Sequence, residues 1–269
     1  PGRGSQPRLQ TCEKLSPPLQ FKSDGLTLHG HLALPERHPA GGSPGFVLCH
    51  GFPTPAIGAT NAGVSYRTLA DRIADQQGGA ALAMNYRGCG ESEGFFSIGG
   101  WLRDVQAAID ALAALNEVAS VSVIGFGTGA ALAVCAAATR PEVRSVAAFS
   151  PPADFEDWSN DPEHLLRHAR NVGVISDDSF PEDFEAWAEE LDQVKAIDSA
   201  EKFAPRPLMI VHGGDDDVVP VFDSRMVADA HGAADLRVIQ GAGHMLNYDP
   251  RAIAILLGWV DRQRFSSVV

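Results

Sequence analysis

The sequence is poor in cysteine, in aromatic residues and in positive charge, and it contains no long apolar run. Only four cysteines occur in 269 residues, Cys12, Cys49, Cys89 and Cys135. They lie far apart and form no C-x-x-C pair, so they neither build a disulfide framework nor offer the ligand spacing of a zinc site. The expectation is four reduced thiols in a cytoplasmic protein. No stretch approaches the roughly 18 to 20 uninterrupted apolar residues that cross a bilayer, so no membrane span is expected. Lys and Arg number 21 against 34 Asp and Glu, a formal charge of −13 that repels nucleic-acid phosphate and anionic lipid. The opening stretch, residues 1–18, is polar, basic and rich in Pro and Gly, without the apolar core of a signal peptide, and reads as a flexible tail.

The acidity is not spread evenly. Between Pro151 and Glu201 stand 15 acidic and 3 basic residues, a balance of −12 that leaves about −1 for the rest of the chain. That window also breaks an otherwise regular alternation. Leu19 to Pro35 reads as two strands about a turn at Asp24 and Gly25. Runs at Phe46 to His50, Ala80 to Tyr86, Ser120 to Gly125, Val143 to Ser150, Pro207 to Gly213 and Asp235 to Gly241 read as further strands, the first as one buried on both faces. Helical patterns fall between them, at Val64 to Gln77, Trp101 to Asn116, Thr128 to Thr139, Val221 to Ala230 and Tyr248 to Gln263. Strand–helix alternation calls for a mostly parallel sheet covered on both faces.

Inside the acidic window two helical patterns are expected. In the second, Ser179 and Glu182 match a capping box, and Phe184, Trp187, Ala188, Leu191 and Val194 make one apolar stripe. Two readings stand: a lid whose aromatics Phe155, Trp158, Phe184 and Trp187 face a ligand, or a surface insertion whose aromatics pack on the main core. The division expected is therefore residues 1–18 as tail, 19–150 with 202–269 as core, and 151–201 as an acidic helical cap.

The densest chemical signal is VSVIGFGTGAALA, Val121 to Ala133: a strand, a glycine-rich turn and a small-residue helix. Gly125, Gly127 and Ala130 fit the dinucleotide fingerprint G-x-G-x-x-A, but the next strand ends in Phe149, Ser150 and two prolines, without the acidic residue that would hold a ribose. Gly125, Gly127 and Gly129 also occupy the frame of the nucleophile elbow G-x-S-x-G, with glycine where serine belongs.

Four accompanying segments decide between them: His50-Gly51-Phe52 after an apolar strand, Asn85 to Gly94 (NYRGCGESEG), Val211 to Pro220 (VHGGDDDVVP) and Gly241 to His244 (GAGH). With these, in elbow, acid, histidine order, the chain resembles the α/β-hydrolase family over about Leu19 to Gln263. The branch it resembles is that of serine aminopeptidase-like and lysophospholipase-like acyl hydrolases. The resemblance implies an α/β-hydrolase fold: a mostly parallel twisted sheet of about eight strands, helices on both faces and a small helical lid. It implies Asp216 as the acid, His244 as the general base and Gly127 at the nucleophile position. Asp215 and Asp217 would orient the turn or cap the next helix. The backbone N–H groups of Phe52 and Thr128 would form the oxyanion hole, which needs no particular side chain. Cys89 and Ser150 are weighed as substitute nucleophiles, and His164 with His168, four apart on a helix, as metal ligands without a third; the favoured reading of the first two is structural and of the histidines a satisfied or exposed helix pair.

Three functions remain open on this evidence. One is an ester or peptide hydrolase-fold enzyme using the Asp216/His244 pair without serine, on water or in a lyase or cyclase reaction. The second is a non-catalytic binding protein, and the third a serine-to-glycine variant of an ordinary esterase. No metal or organic cofactor is expected, and the ligand expected is a small molecule or short peptide, neutral or apolar at its acyl end.

Overall fold

The computed structural model describes residues 18–265, with side chains to Gln263. The expected tail, residues 1–18, and Cys12 fall outside these residues except for Pro18. The chain opens with the hairpin β1 (Pro18–Ser23) and β2 (Leu26–Ala33), with Asp24 and Gly25 both at positive φ in its two-residue turn. Then follow β3 (Ser43–Cys49), α1 (Val64–Arg72), β4 (Ala80–Met84), α2 (Ile98–Ala113), β5 (Val118–Phe126), α3 (Thr128–Thr139) and β6 (Val143–Phe149). Four helices, α4 (Glu156–Asn160), α5 (Pro162–Val172), α6 (Phe184–Gln193) and α7 (Ala196–Phe203), separate β6 from β7 (Leu208–Gly213). The chain ends through α8 (Val221–His231), β8 (Asp235–Ile239) and α9 (Pro250–Phe265).

The eight strands form one sheet in the order β1-β2-β4-β3-β5-β6-β7-β8. β1, β2 and β4 pair antiparallel, and every other pairing is parallel. The continuous apolar runs are explained by the two-residue period of a strand, which sends alternate side chains to opposite faces. Val47 and Cys49 enter the core beneath α2 and α3, with Trp101, Val105, Ile109 and Leu132. Phe46 and Leu48 enter a second core with Leu69 and Ile73 on one side and Leu256, Trp259 and Val260 on the other. A strand with helices on both faces has no solvated side, so it carries no polar alternation.

Several expected boundaries moved. The α-helix expected over Val64 to Gln77 stops at Arg72 and continues as one wider turn, Ile73–Gln77, ending on Gly78 in the left-handed region. α2 begins three residues before Trp101, because Ser97 caps it by accepting a hydrogen bond from Gly100 N–H at 3.0 Å; the pair Gly99-Gly100 disguised this start. The acidic window holds four helices rather than two. Its expected capping box is also absent: Ser179 bonds to Asp177, and the cap of α6 is Asp183, which accepts from Ala186 N–H at 3.0 Å. Among the described residues no helix is long and apolar enough to cross a membrane.

Candidate active site

Four loops leaving the C-terminal ends of parallel strands converge here, where open α/β sheets place their ligands. β3 leads into His50-Gly51-Phe52, β5 into Gly127, β7 into the Asp216 loop and β8 into the His244 loop. They border a cleft of about 710 Å³ that the β6–α4 connection and α5 help to enclose.

The turn at Gly127 is dictated by how closely α3 lies against the sheet. A Cβ on Gly125 would stand 2.3 Å from the carbonyl oxygen of Gly129, and one on Gly129 would stand 2.4 Å from that of His50. Neither position can carry a side chain without moving backbone. Gly127 differs: its φ is 54° and ψ −125°, a conformation that side chains rarely adopt, and its N–H donates to Phe149 O at 2.8 Å. A Cβ there would meet no backbone closely but would come 3.2 Å from Nε2 of His244.

Asp216 and His244, 28 residues apart, meet directly. His244 Nδ1 lies 2.9 Å from Oδ2 and 3.1 Å from Oδ1 of Asp216. The Asp216 side chain is fully buried, whereas that of His244 is 21% exposed and borders the cleft. The carboxylate also accepts from the N–H groups of Val218 and Val219 at 3.0 and 2.9 Å. Burial alone would raise its pKa. Hydrogen bonds from His212, His244 and Val219 outweigh that and hold the carboxyl well below the usual range, so Asp216 stays ionised. With Nδ1–H engaged by the carboxylate, His244 turns the lone pair of Nε2 toward Gly127.

The other expected residues divide. Phe52 and Thr128 border the cleft, as do Phe155 and Trp158. Phe52 stacks on His168 at 5.6 Å and meets Trp158 edge-on at 5.2 Å, while Trp158 stacks on Phe155 at 5.1 Å. Phe184 and Trp187, expected at the ligand, lie elsewhere. Their stripe packs on the core, with Trp187 Nε1–H donating to Phe96 O at 3.0 Å and Phe184 stacked on Trp187. Cys89 is wholly buried and is not part of the cleft wall, and burial, with the charge of Asp104 second, pushes its thiol upward, the opposite of what activates a thiol. Ser150 is equally enclosed at φ 48°, outside the cleft wall. His164 and His168 differ in setting: His164 is exposed, His168 stacks on Phe52, and no group of three metal-ligating side chains occurs among the described residues. Asp215 and Asp217 are exposed and neither caps α8; the turn is held by Asp216 itself.

His50 is also not a cleft residue. It is buried against Tyr86 and Trp101, its Nδ1–H donates to Gly51 O at 2.7 Å, and burial pushes it down to about 4. Its neutral ring therefore shapes the loop carrying Phe52. Two further residues were not singled out from sequence. His212, four residues before Asp216, approaches that carboxylate from the side opposite solvent, and Asp223 at the start of α8 borders the cleft while accepting from Ala153 N–H. The i, i+4 spacing of His212 and Asp216 in VHGGD was the available signal.

The comparisons agree with this architecture. The model of the alpha/beta hydrolase family matches residues 46–255. No curated protein matches by sequence. Among solved structures, Est1E from Butyrivibrio proteoclasticus with ferulic acid bound is similar at TM-score 0.70 and 22% identity, covering 92% of this chain and 99% of that one. GrgF from Penicillium sp. sh18, an alpha/beta hydrolase, is similar at TM-score 0.71 and 17% identity, covering 93% and 99%. The esterase Pf2001 of Pyrococcus furiosus follows at TM-score 0.65 and 16% identity, covering 91% and 92%. At these identities the likeness is one of fold. With the family match spanning most of its length and a sheet of the same architecture, the chain belongs to the alpha/beta hydrolase family.

Proposed function

We propose that this protein is an acyl-hydrolase-type enzyme in which glycine has replaced the elbow nucleophile and the His244–Asp216 pair acts on water. The observation that carries this reading is the position of His244: Nε2 stands 3.2 Å from where a side chain at 127 would begin, while Nδ1 is bound to Asp216 at 2.9 Å. A proton acceptor and its ionised support are thus aimed at an unoccupied nucleophile position that opens on the cleft. In the reaction Nε2 takes one proton from water as the water oxygen bonds to the carbonyl carbon. The N–H groups of Phe52 and Thr128 stabilise the resulting oxyanion, Thr128 being the first residue of α3, where a helix leaves its N–H unpaired. The tetrahedral intermediate then breaks its bond to the leaving oxygen, which recovers the proton from Nε2. Without a covalent step such an enzyme is slow, since oxyanion hole and binding alone keep roughly 10³ to 10⁴ over water.

The cleft wall supports a neutral or cationic substrate. It carries Asp154, Glu156, Asp157, Asp217 and Asp223, and no Lys or Arg is among its described residues. Burial raises the pKa of Asp223, the hydrogen bond from Ala153 opposes this, and the charges of Asp154 and Asp157 add to the rise. Polyanions are repelled. The ring wall of Phe52, Trp158 and Phe155 suits an apolar or planar aromatic acyl group, such as an ester of the ferulic acid carried by the Est1E structure. In this reading residues 151–201 are a cap whose first half forms that wall and whose second half anchors it to the core.

The test is Gly127→Ser, assayed on p-nitrophenyl butyrate and with a fluorophosphonate label. Hydrolysis should rise by about 10³-fold or more over the glycine form. The added Cβ requires His244 to yield by a few tenths of an ångström and strains the backbone by about 1 to 3 kcal/mol. A folded Gly127→Ser protein with no gain and no labelling would show that the cleft is not built for acyl transfer. In the glycine form, His244→Ala should abolish the slow hydrolysis; unchanged turnover would remove water activation and leave ligand binding.

A further inference from the structure

The family's pair of acid and base has a third member here. His212, at the end of β7, is completely buried, and its two ring nitrogens are both engaged. Nε2 lies 2.9 Å from Val219 O, which can only accept, so Nε2 carries the proton. Nδ1 is then the acceptor for the hydroxyl of Ser224 on α8, at 2.6 Å. The same Nε2 stands 3.3 Å from Oδ2 of Asp216, the oxygen that faces His244 Nδ1 at 2.9 Å. One carboxylate oxygen therefore lies between two imidazoles, and the other is fixed by the N–H groups of Val218 and Val219.

We propose that His212, oriented by Ser224, is a positioning residue that holds the Asp216 carboxylate in the rotamer His244 requires. The proposal rests on the reading that His244 and Asp216 are the working pair. A simple staple of the Asp216 loop would need only the bond to Val219. The additional approach to Oδ2 restrains the carboxylate itself, which otherwise could turn about its last torsion between the backbone donors and His244. Asp223 on α8 is a further ionisable group whose charge reaches His212, and as a carboxylate whose oxygen accepts from Ala153 N–H it offers Asp216 no donor in place of the imidazole.

The readout independent of activity is the low-field proton resonance of the His244 Nδ1–H, identified by its loss in His244→Gln. In His212→Leu this resonance should move upfield or broaden through exchange, and His212→Gln, which keeps a donor at nearly the same reach, should restore it. Ser224→Ala should give a smaller change in the same direction and serves if His212→Leu does not fold. In the Gly127→Ser background, kcat should fall about 10-fold or more in His212→Leu with KM unchanged, and recover in His212→Gln, as expected when transition-state geometry rather than binding is lost. A His244 resonance unaltered in both His212→Leu and Ser224→Ala overturns the proposal, whatever the activity. Absence of activity in Gly127→Ser itself would count against the function proposed above and leave the resonance as the measure of His212.

Discussion

Asp104 on α2 and Asp216 after β7 both have side chains shut away from solvent, and each is held by several donors, yet the donors differ in kind. Asp104 accepts from three donor groups of Arg87, from its backbone N–H at 2.9 Å, from Nε at 3.0 and 3.1 Å and from Nη2 at 2.7 Å; Arg87 reaches on to Asp24 at 2.9 Å. A guanidinium does not release its proton, so this network is static and ties the β1–β2 turn to α2. Asp216 is supported instead by backbone N–H groups and two imidazoles, one of which borders the cleft. Imidazole changes protonation within the working pH range. A buried carboxylate is therefore not itself a mark of chemistry. The mark is a partner that can exchange a proton and can reach a ligand.

The sharpest way to break this contrast is to neutralise each carboxylate in turn. In the Gly127→Ser protein, Asp216→Asn should lower kcat by about 10⁴-fold, since the amide favours the wrong imidazole tautomer. Ester turnover measures it, and retention of most activity would dissolve the distinction. Asp104→Ala should leave that turnover nearly unchanged under native conditions while costing about 3 to 5 kcal/mol in urea unfolding, because the Arg87 guanidinium is left buried without its principal partner. His50 is a buried titratable group of a third kind, enclosed and neutral. Its folded pKa of about 4 lies below the unfolded value near 6.5, so the unfolded chain binds the extra proton and stability falls as pH drops through that interval. The full loss is about 3 kcal/mol, and His50→Gln, which never titrates, should show a correspondingly flatter decline in urea unfolding between pH 7 and pH 5. The smallest effect belongs to an exposed carboxylate that only caps: Asp183→Ala should cost about 1 kcal/mol in thermal or urea unfolding and nothing in activity.

What could be read in the sequence follows the same physics. Strands buried on both faces announce themselves as unbroken apolar runs, and β3 was visible for that reason. Asp216, His244 and Gly127 stood in motifs whose spacing reflects strand ends. The stripe of α6 indicated that Trp187 and Leu191 are buried, but helical periodicity says nothing of what buries them, and they face the core. Phe155 and Trp158, with weaker patterning, are the two of the four cap aromatics that border the cleft. His212 was passed over because a histidine inside an apolar strand looks like packing until Ser224, Val219 and Asp216 are brought around it.

The three glycines of the β5–α3 turn carry unequal constraints. At 125 and 129 a methyl group would strike main chain, whereas at 127 it would press only against the imidazole of His244. Of the three, position 127 is therefore the one where a side chain can be introduced without displacing main chain, so the turn can be kept while what it presents to the cleft is changed.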